Sequence, residues 1–281
     1  MIAAFRGWND GAQGASLAAS FLTRTWGATK FADIDPEEFY DFQAVRPQVT
    51  LEDGETRRVE WPENAFYHAA IPDSGRDVII LMGVEPSTRW RTFTSTIIDL
   101  VTSLGAEMVL TLGALLADVP HTRPAPVTGT ASDSDLVEEL ELTASKYQGP
   151  TGIVGVLHDA CREANLSSAS LWAAVPHYAS LAPSPKAAYA LCERLAEFLA
   201  IEIDLTELDQ AAKSYEDQVT TAVAGDEETS TYVKELEKAA DSVEDDEELP
   251  SGDSLAADFT RFLREHEARR QDEESNPDSP S

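Results

Sequence analysis

The stretch that decides the fold is Met1-Ile2-Ala3-Ala4-Phe5-Arg6, an apolar run that leads directly into Gly7-Trp8-Asn9-Asp10. Four other short apolar runs, each followed at once by polar residues, share this design: residues 77–83, 107–112, 151–157 and 170–175. Apolar runs without polar alternation are typical of strands buried on both faces of a parallel sheet. Ligands of such sheets bind beyond the carboxyl ends of the strands. The sequence therefore indicates where a site lies, but not which reaction it runs.

Helical patterns alternate with these strands. Asp10 is placed to cap a helix over residues 11–25, and a strand over 29–34 follows. Further helices are predicted over 90–104, 133–146, 159–165 and 185–201, with Gly105 as the C-terminal glycine of the first of these. Such alternation predicts an α/β fold with a doubly wound, mostly parallel sheet.

A change of period interrupts the alternation between residues 48 and 71. Residues 48–51, 55–60 and 65–71 have the pattern of short antiparallel strands, and Asp53-Gly54 is a hairpin turn signal. We therefore expect a small antiparallel insertion in the body of the fold.

Composition narrows the function classes. The chain has 281 residues and a formal net charge of −30, and a surface this acidic repels phosphate backbones, so we expect no nucleic-acid partner. No run approaches the ~20 apolar residues of a membrane span, and no secretion signal is present, which predicts a cytoplasmic protein. The two cysteines, Cys161 and Cys192, lie in apolar stretches and are interpreted as core residues.

Acidic residues concentrate at the C-terminal end, where from residue 204 onward they outnumber basic residues by 24 to 7. We place an α/β domain at 1–203, an acidic helical extension at 204–270 and a disordered tail at 271–281. Apolar residues at 3-4 spacing, beginning with Leu205 and Leu208, predict helices within the extension. These helices form either a hairpin that packs on the body or a seam between subunits. A further amphipathic helix is predicted around 255–263.

Candidate site residues come from the polar loops that follow the strands. They are Trp8, Asn9, Asp10, Glu85, Arg89, Trp90, His121, Arg123, His177 and Tyr178. Asp10 and Glu85 suit an acid–base pair, although Glu85 could equally pair with Arg89 one turn further along. His121, His158 and His177 each follow a predicted strand, but none has close metal-ligand spacing, so no metal is expected. No phosphate loop and no Gly-x-Ser-x-Gly elbow occur, and we expect no cofactor.

Several of these strings resemble the bacterial branch of the proteasome assembly chaperone 2 family. They are Gly7-Trp8-Asn9-Asp10, Gly113-Ala114-Leu115, residues 118–124, Val175-Pro176-His177-Tyr178, residues 183–186 and residues 249–259. The resemblance covers most of residues 1–267. It implies a doubly wound α/β body related in shape to nucleoside phosphorylases, and it implies self-association, as a homotrimer in this branch. Eukaryotic relatives help to assemble the rings of the core proteasome, so proteasome subunits are expected partners.

Two departures from the family pattern bear on these expectations. Some relatives end in a hydrophobic-tyrosine-any tail that docks between proteasome subunits, whereas this chain ends Pro280-Ser281, so tail docking is not expected. Relatives usually carry a short segment before the first strand, whereas here Met1 lies in the strand itself. We hypothesise that the native start lies upstream, which peptide mapping of the N-terminus would test.

Two functions remain open at this point. The first is a non-enzymatic assembly or protein-interaction protein that contacts other chains, its own copies first. The second is an enzyme or sensor that binds a small molecule in the crevice at the carboxyl edge of the sheet. A deep crevice with converging side chains would favour the second function, and a covered edge would favour the first.

Overall fold

The computed structural model describes residues 1–53, 56–72, 74–131, 148–180 and 183–244. Within these residues the strands are β1 Ile2–Arg6, β2 Thr29–Ile34, β3 Gln48–Glu52, β4 Thr56–Glu60, β5 Asn64–Ile71, β6 Arg76–Val84, β7 Met108–Ala117, β8 Val127–Ala131 and β9 Ser167–Pro176. The helices are α1 Gly14–Thr25, α2 Trp90–Ser103, α3 Ile153–Glu163, α4 Pro185–Leu199, α5 Thr206–Ala224 and α6 Glu227–Glu244.

Seven of these strands form one sheet in the order β2-β5-β6-β1-β7-β9-β8. Strands β6, β1, β7 and β9 run parallel at its centre, while β5 and β8 run antiparallel to their neighbours. The carboxyl ends of the four central strands therefore meet at one edge, which we call the carboxyl edge. Strands β3 and β4 pair separately as an antiparallel hairpin.

Helices cover both faces of the sheet because alternate strand residues are apolar on both sides. Ile2 and Ala4 of β1 belong to a core cluster formed with α1 and α4. Ala3 and Phe5 belong to a second cluster, formed with α2 and α3. This arrangement confirms the predicted fold class, a doubly wound and mostly parallel sheet with a small antiparallel hairpin. Gly105 follows α2 with φ +73°, as a C-terminal glycine does.

The structure corrects three assignments. Residues 151–157, predicted as a strand, include the start of α3, whose residues Ile153, Val154, Leu157 and Cys161 are buried along one face. A short apolar run can form either element, and here it is the packing of one helical face that determines the structure. Strand β5 pairs with β2 and β6 in the main sheet, so the inserted hairpin contains only β3 and β4. Strand β8 had no clear sequence signal and was missed.

The helices of the predicted extension pack against the described body. Leu208 of α5 joins the core cluster beneath α1 and α4, and Ala212 and Tyr215 are buried on the same helix. Val233 and Leu236 of α6 are buried as well. The domain boundary at 203/204 remains a prediction. The helices predicted over 133–146 and around 255–263, and the tail at 271–281, lie outside the described residues.

Both cysteines are free and buried, as predicted, in α3 and α4. Burial raises the pKa of the Cys161 thiol to about 11 and that of Cys192 to about 12, so neither is a thiolate at neutral pH. Among the described residues, no helix is both long and apolar enough to cross a membrane.

Candidate functional site

The ten candidate residues all lie at or beside the carboxyl edge, but they form two separate groups. The first group surrounds the ends of β1 and β6 and contains Trp8, Asn9, Asp10, Glu85, Arg89 and Trp90. The second group surrounds the ends of β7 and β9 and contains His121, Arg123, His177 and Tyr178. Each group bonds to different helices, so the predicted crevice does not form as one site.

Glu85 links two loops to the start of a helix. Its Oε1 accepts a hydrogen bond of 2.8 Å from the backbone N–H of Ile153, in the first turn of α3, and its Oε2 accepts one of 3.4 Å from that of Trp8. A carboxylate at a helix N-terminus is stabilised by the backbone dipoles. Gly152 lies in between, where an added Cβ would be 2.8 Å from Glu85 Oε1 and 2.3 Å from Asn9 Nδ2. Glu85 therefore caps α3 from a distant loop.

Asp10 caps a different helix. Its Oδ1 accepts from the backbone N–H groups of Ala15 and Ser16, at 2.9 and 3.2 Å, and its Oδ2 accepts from Ser16 Oγ at 2.5 Å. Burial raises the pKa of this carboxyl, while the bonds from Ser16 and Ala15 act against the rise. Asp10 and Glu85 are thus committed to α1 and α3 respectively, an arrangement that favours structural roles over an acid–base pair.

The remaining residues of the first group differ in their contacts. Arg89 forms an ion pair with Glu38 in the loop after β2. It therefore does not form the alternative pair with Glu85 that the sequence allowed. Trp90 donates from Nε1 to the backbone oxygen of Pro86 at 2.5 Å and closes the turn before α2. Asn9 is buried, and its side-chain nitrogen has no hydrogen-bond partner among the described residues. Trp8 is 39% exposed.

His121 is the centre of the second group, where its side chain is buried between a loop and α5. Its Nδ1 lies 2.8 Å from Tyr178 Oη and its Nε2 lies 3.0 Å from Thr220 Oγ1. Tyr178 Oη also accepts from the His121 backbone N–H at 2.8 Å. This pattern fits a neutral imidazole with its proton on Nε2. Burial, followed by the nearby Lys186 ammonium, lowers the pKa of His121 and favours that neutral form.

Charged contacts hold the same loops to α5 and α6. Arg123 forms a two-pronged ion pair with Asp241, at 2.6 Å from Nε to Oδ1 and 2.9 Å from Nη2 to Oδ2. Thr122 Oγ1 donates to Glu237 Oε1 at 2.5 Å. Lys186, at the start of α4, bonds to the His121 carbonyl and to Glu216 of α5. These contacts join the loop after β7 to both α5 and α6.

Aromatic rings complete this closure. His177, Tyr178 and Tyr232 of α6 pack edge to face, with ring centroids 5.5–6.3 Å apart. Asp118 lies 3.2 Å from His177 Nδ1 and accepts from Tyr232 Oη at 2.9 Å. The cavity left under these groups is about 10 Å³, room for one water at most. The β7–β9 end of the carboxyl edge is therefore covered by α5 and α6.

His158 does not join either group. It lies within α3 rather than after a strand, and its Nε2 is 3.0 Å from Thr111 Oγ1 of β7. Burial lowers its pKa to about 4, so the ring is neutral at pH 7. The three histidines do not meet. Within the described ranges, no group of three or more His, Cys, Asp or Glu side chains is arranged to hold a metal ion.

Sequence reasoning missed the residues of α5 and α6 that close the edge: Tyr215, Glu216, Thr220, Tyr232, Glu237 and Asp241. One signal was available, since Tyr215 stands in the apolar stripe of α5 with a hydroxyl that needs a partner. Glu237 and Asp241 gave no such signal, because their partners, Thr122 and Arg123, lie more than a hundred residues earlier in the chain.

The molecule is therefore an α/β protein in which the loops at the β7–β9 end of the carboxyl edge are bonded to α5 and α6. The chain belongs to the PAC2 family, whose model matches residues 4–223. A search of curated proteins gave no match.

Solved structures provide the closer comparisons. A PAC2 family protein from Streptomyces avermitilis MA is 44% identical, with a TM-score of 0.77, over 83% of this chain and 98% of that one. A proteasome-assembly chaperone homologue from Mycobacterium tuberculosis is 42% identical, with a TM-score of 0.75, over the same shares of the two chains. An archaeal proteasome activator from Pyrococcus furiosus is 22% identical, with a TM-score of 0.64, over 79% of this chain and 91% of that one, and shares the fold alone.

Proposed function

We propose that this chain is a non-enzymatic protein-interaction protein of the cytoplasm that takes part in proteasome assembly. The observation that carries the proposal is the covered β7–β9 end of the carboxyl edge. At this end the side chains predicted to surround a substrate instead bond to α5, to α6 and to one another, over a cavity of about 10 Å³. A substrate needs a pocket many times larger. The 42% identity to a proteasome-assembly chaperone homologue supports the choice of pathway.

A second support is the apolar face of the β3–β4 hairpin. Val49 pairs directly with Val59, Leu51 is two residues further along the same face, and Trp61 follows β4 with the same alternation. These four side chains are between 49% and 60% exposed. A contiguous exposed apolar patch on an otherwise acidic protein is typical of a protein contact.

We assign this hairpin face to a second copy of the chain, in the homotrimer that the family resemblance implies. Arg57 pairs with Leu51 and so lies on the same face. A cation among the apolar side chains complements the surface of another copy, which carries a net charge of −30.

Self-association is tested by sedimentation equilibrium of the wild type, Leu51→Lys and Leu104→Lys. The two substitutions are matched, because both leucines are exposed, at 60% and 54%, and Leu104 lies at the end of α2, outside the hairpin. We expect a trimer for the wild type and Leu104→Lys, and a monomer for Leu51→Lys. A monomeric wild type, or equal masses for the two variants, would overturn the assignment.

The assembly role is tested separately, by capture of the tagged chain from its own cells after mild crosslinking. We expect proteasome α or β subunits among the crosslinked proteins, at amounts that fall when untagged chain competes. Recovery of the chain alone would contradict the assembly role and leave self-association intact. The two parts of the proposal can therefore fail independently.

A further inference from the structure

A groove of about 320 Å³ opens beside the first group, between α1 and strands β1, β5 and β6. We call it the α1 groove and define it by Arg6, Gln13, Ser16, Ser20, Tyr67 and Met82, which line it. Its volume is within the range of small-molecule sites. None of the ten candidate residues lines it, and the closure by α5 and α6 leaves it open.

The groove exists because small residues face one another where α1 crosses the sheet. Ala4 of β1 pairs with Met82 of β6, and its methyl group fills little of the space between the sheet and α1. On the helix, Ser16 and Ser20 are one turn apart and face the strands across the groove. Larger residues at these positions would fill the space with core packing.

Arg6 supplies a cation at the end of β1. It makes no ion pair and no hydrogen bond with the residues that the structure describes, although its charge acts against the rise in the pKa of Asp10, and its side chain is exposed at the groove. Most other cations at this edge are paired, for example Arg89 with Glu38 and Arg123 with Asp241. In a chain with 51 acidic residues, an arginine that is left open to a groove is available for an anionic ligand.

The other walls supply hydrogen bonding and an apolar surface. Ser16 donates its hydroxyl hydrogen to Asp10, so it has no donor left for an anion and only lines the groove. Ser20 and Gln13 make no side-chain hydrogen bond among the described residues, although both line the groove. Met82 and Tyr67 provide apolar surface on the sheet side. A site for an amphiphilic anion combines a cation, polar side chains that are free to form hydrogen bonds, and an apolar wall, and the α1 groove has all three.

We propose that the α1 groove binds a small organic monocarboxylate, with the carboxylate on Arg6 and the apolar part against Met82 and Tyr67. A carboxylate fits better than a phosphate because the groove has one open cation and Glu63 also lines it. The surrounding field of a −30 chain disfavours a dianion further. This ligand site is additional to the proposed protein contacts and does not depend on them.

The test uses the three methionines of the chain as reporters. Met82 lies in the groove, whereas Met1 and Met108 meet at the opposite edge of the sheet, where the Met1 amine donates to the Met108 carbonyl at 2.6 Å. The protein is labelled with methyl-¹³C methionine, and Met82→Leu assigns the signals. The probes are phenylacetate and hexanoate, with phenylacetamide as the neutral match of the first and inorganic phosphate as the alternative anion.

We expect either carboxylate to shift the Met82 signal saturably while the Met1 and Met108 signals stay in place. Phenylacetamide should bind about tenfold more weakly than phenylacetate, because a charged hydrogen bond is lost. Arg6→Gln should weaken phenylacetate by about the same factor, and Ser20→Leu should abolish binding by filling the groove. Arg91→Gln, an exposed arginine on α2, should leave binding unchanged and serves as the matched control.

Unchanged Met1 and Met108 signals in each variant will show that the variant is folded. The proposal would be overturned if the Met82 signal does not move with either carboxylate at about 20 mM. That concentration is roughly a hundred times a Kd of about 200 μM and would saturate such a site. The proposal would also be overturned by equal binding of phenylacetate and phenylacetamide, equal binding by the wild type and Arg6→Gln, or a response to phosphate alone.

Discussion

Replacing Glu85 tests whether this carboxylate caps α3 as the structure indicates. In Glu85→Ala, the buried N–H of Ile153 loses its 2.8 Å acceptor, at a cost of about 1–3 kcal/mol for an unsatisfied buried donor. Loss of the negative charge at the helix N-terminus adds about 0.3–1 kcal/mol. We therefore expect about 1–4 kcal/mol of lost stability. Glu85→Gln keeps an oxygen acceptor but loses the charge, and should cost about 1 kcal/mol.

The assay is urea unfolding at pH 7, followed by far-ultraviolet circular dichroism and by tryptophan fluorescence. Coincident transitions from the two probes are required before free energies are compared. Glu38→Ala is the control, because it removes a glutamate whose ion pair with Arg89 is solvent-exposed and worth about 0–1 kcal/mol. If Glu85→Ala costs no more than Glu38→Ala, Glu85 does not cap α3 and its place in the site must be reconsidered.

Three further predictions follow from other contacts. Gly152→Ala should lower the free energy of unfolding in urea by about 1–3 kcal/mol, because the added Cβ would lie 2.3 Å from the buried side-chain nitrogen of Asn9. Gly225→Ala, with its nearest contact at 3.4 Å, should be neutral or slightly stabilising, and the reverse order would refute the packing argument. The pKa of His158 is lowered to about 4, so the unfolded chain binds more protons between pH 4 and pH 6.5, and wild-type stability should fall as the pH drops through that window. In His158→Gln the unfolding free energy should depend less steeply on pH over the same range, by up to about 1.4 kcal/mol per pH unit. Parallel pH curves for the variant and the wild type would contradict the assignment. A double-mutant cycle between Arg123→Ala and Asp241→Ala should give a coupling of about 1 kcal/mol that shrinks in 1 M salt, whereas zero coupling at low salt would mean that this pair does not hold α6.

Much of the fold could be predicted because its signals are local. The four central strands, the helices at 14–25, 90–103 and 185–199, and the hairpin turn at Asp53 each follow from periodicity or turn chemistry within a few residues. The composition predicted two buried cysteines, and the ordered strings in the loops predicted the family. The strand prediction for residues 151–157 was wrong because a short apolar run is compatible with either a strand or a helix. Packing against α2 and the sheet decides between the two.

The place of the candidate residues in the fold could be predicted, but their contacts could not. The carboxyl edge follows from strand direction, so all ten candidates were expected there and lie there. The partners of those candidates could not be predicted. Arg89 pairs with Glu38 rather than with Glu85 four residues away, and Arg123 pairs with a residue 118 positions later. Charged side chains are long and exposed, so any of several carboxylates could satisfy each cation until the backbone brings one of them within reach.

The amino-acid sequence by itself thus determined most of the strands and helices, which edge of the sheet carries the polar loops, and how acidic the chain is. The tertiary structure alone decided that α5 and α6 cover the ends of β7 and β9 and that the α1 groove remains open beside Arg6. The physical reason is one of range. Periodicity and turn chemistry depend on neighbours within a helical turn or a strand, whereas covering an edge or leaving a groove depends on the sizes of side chains that are brought together from distant parts of the chain.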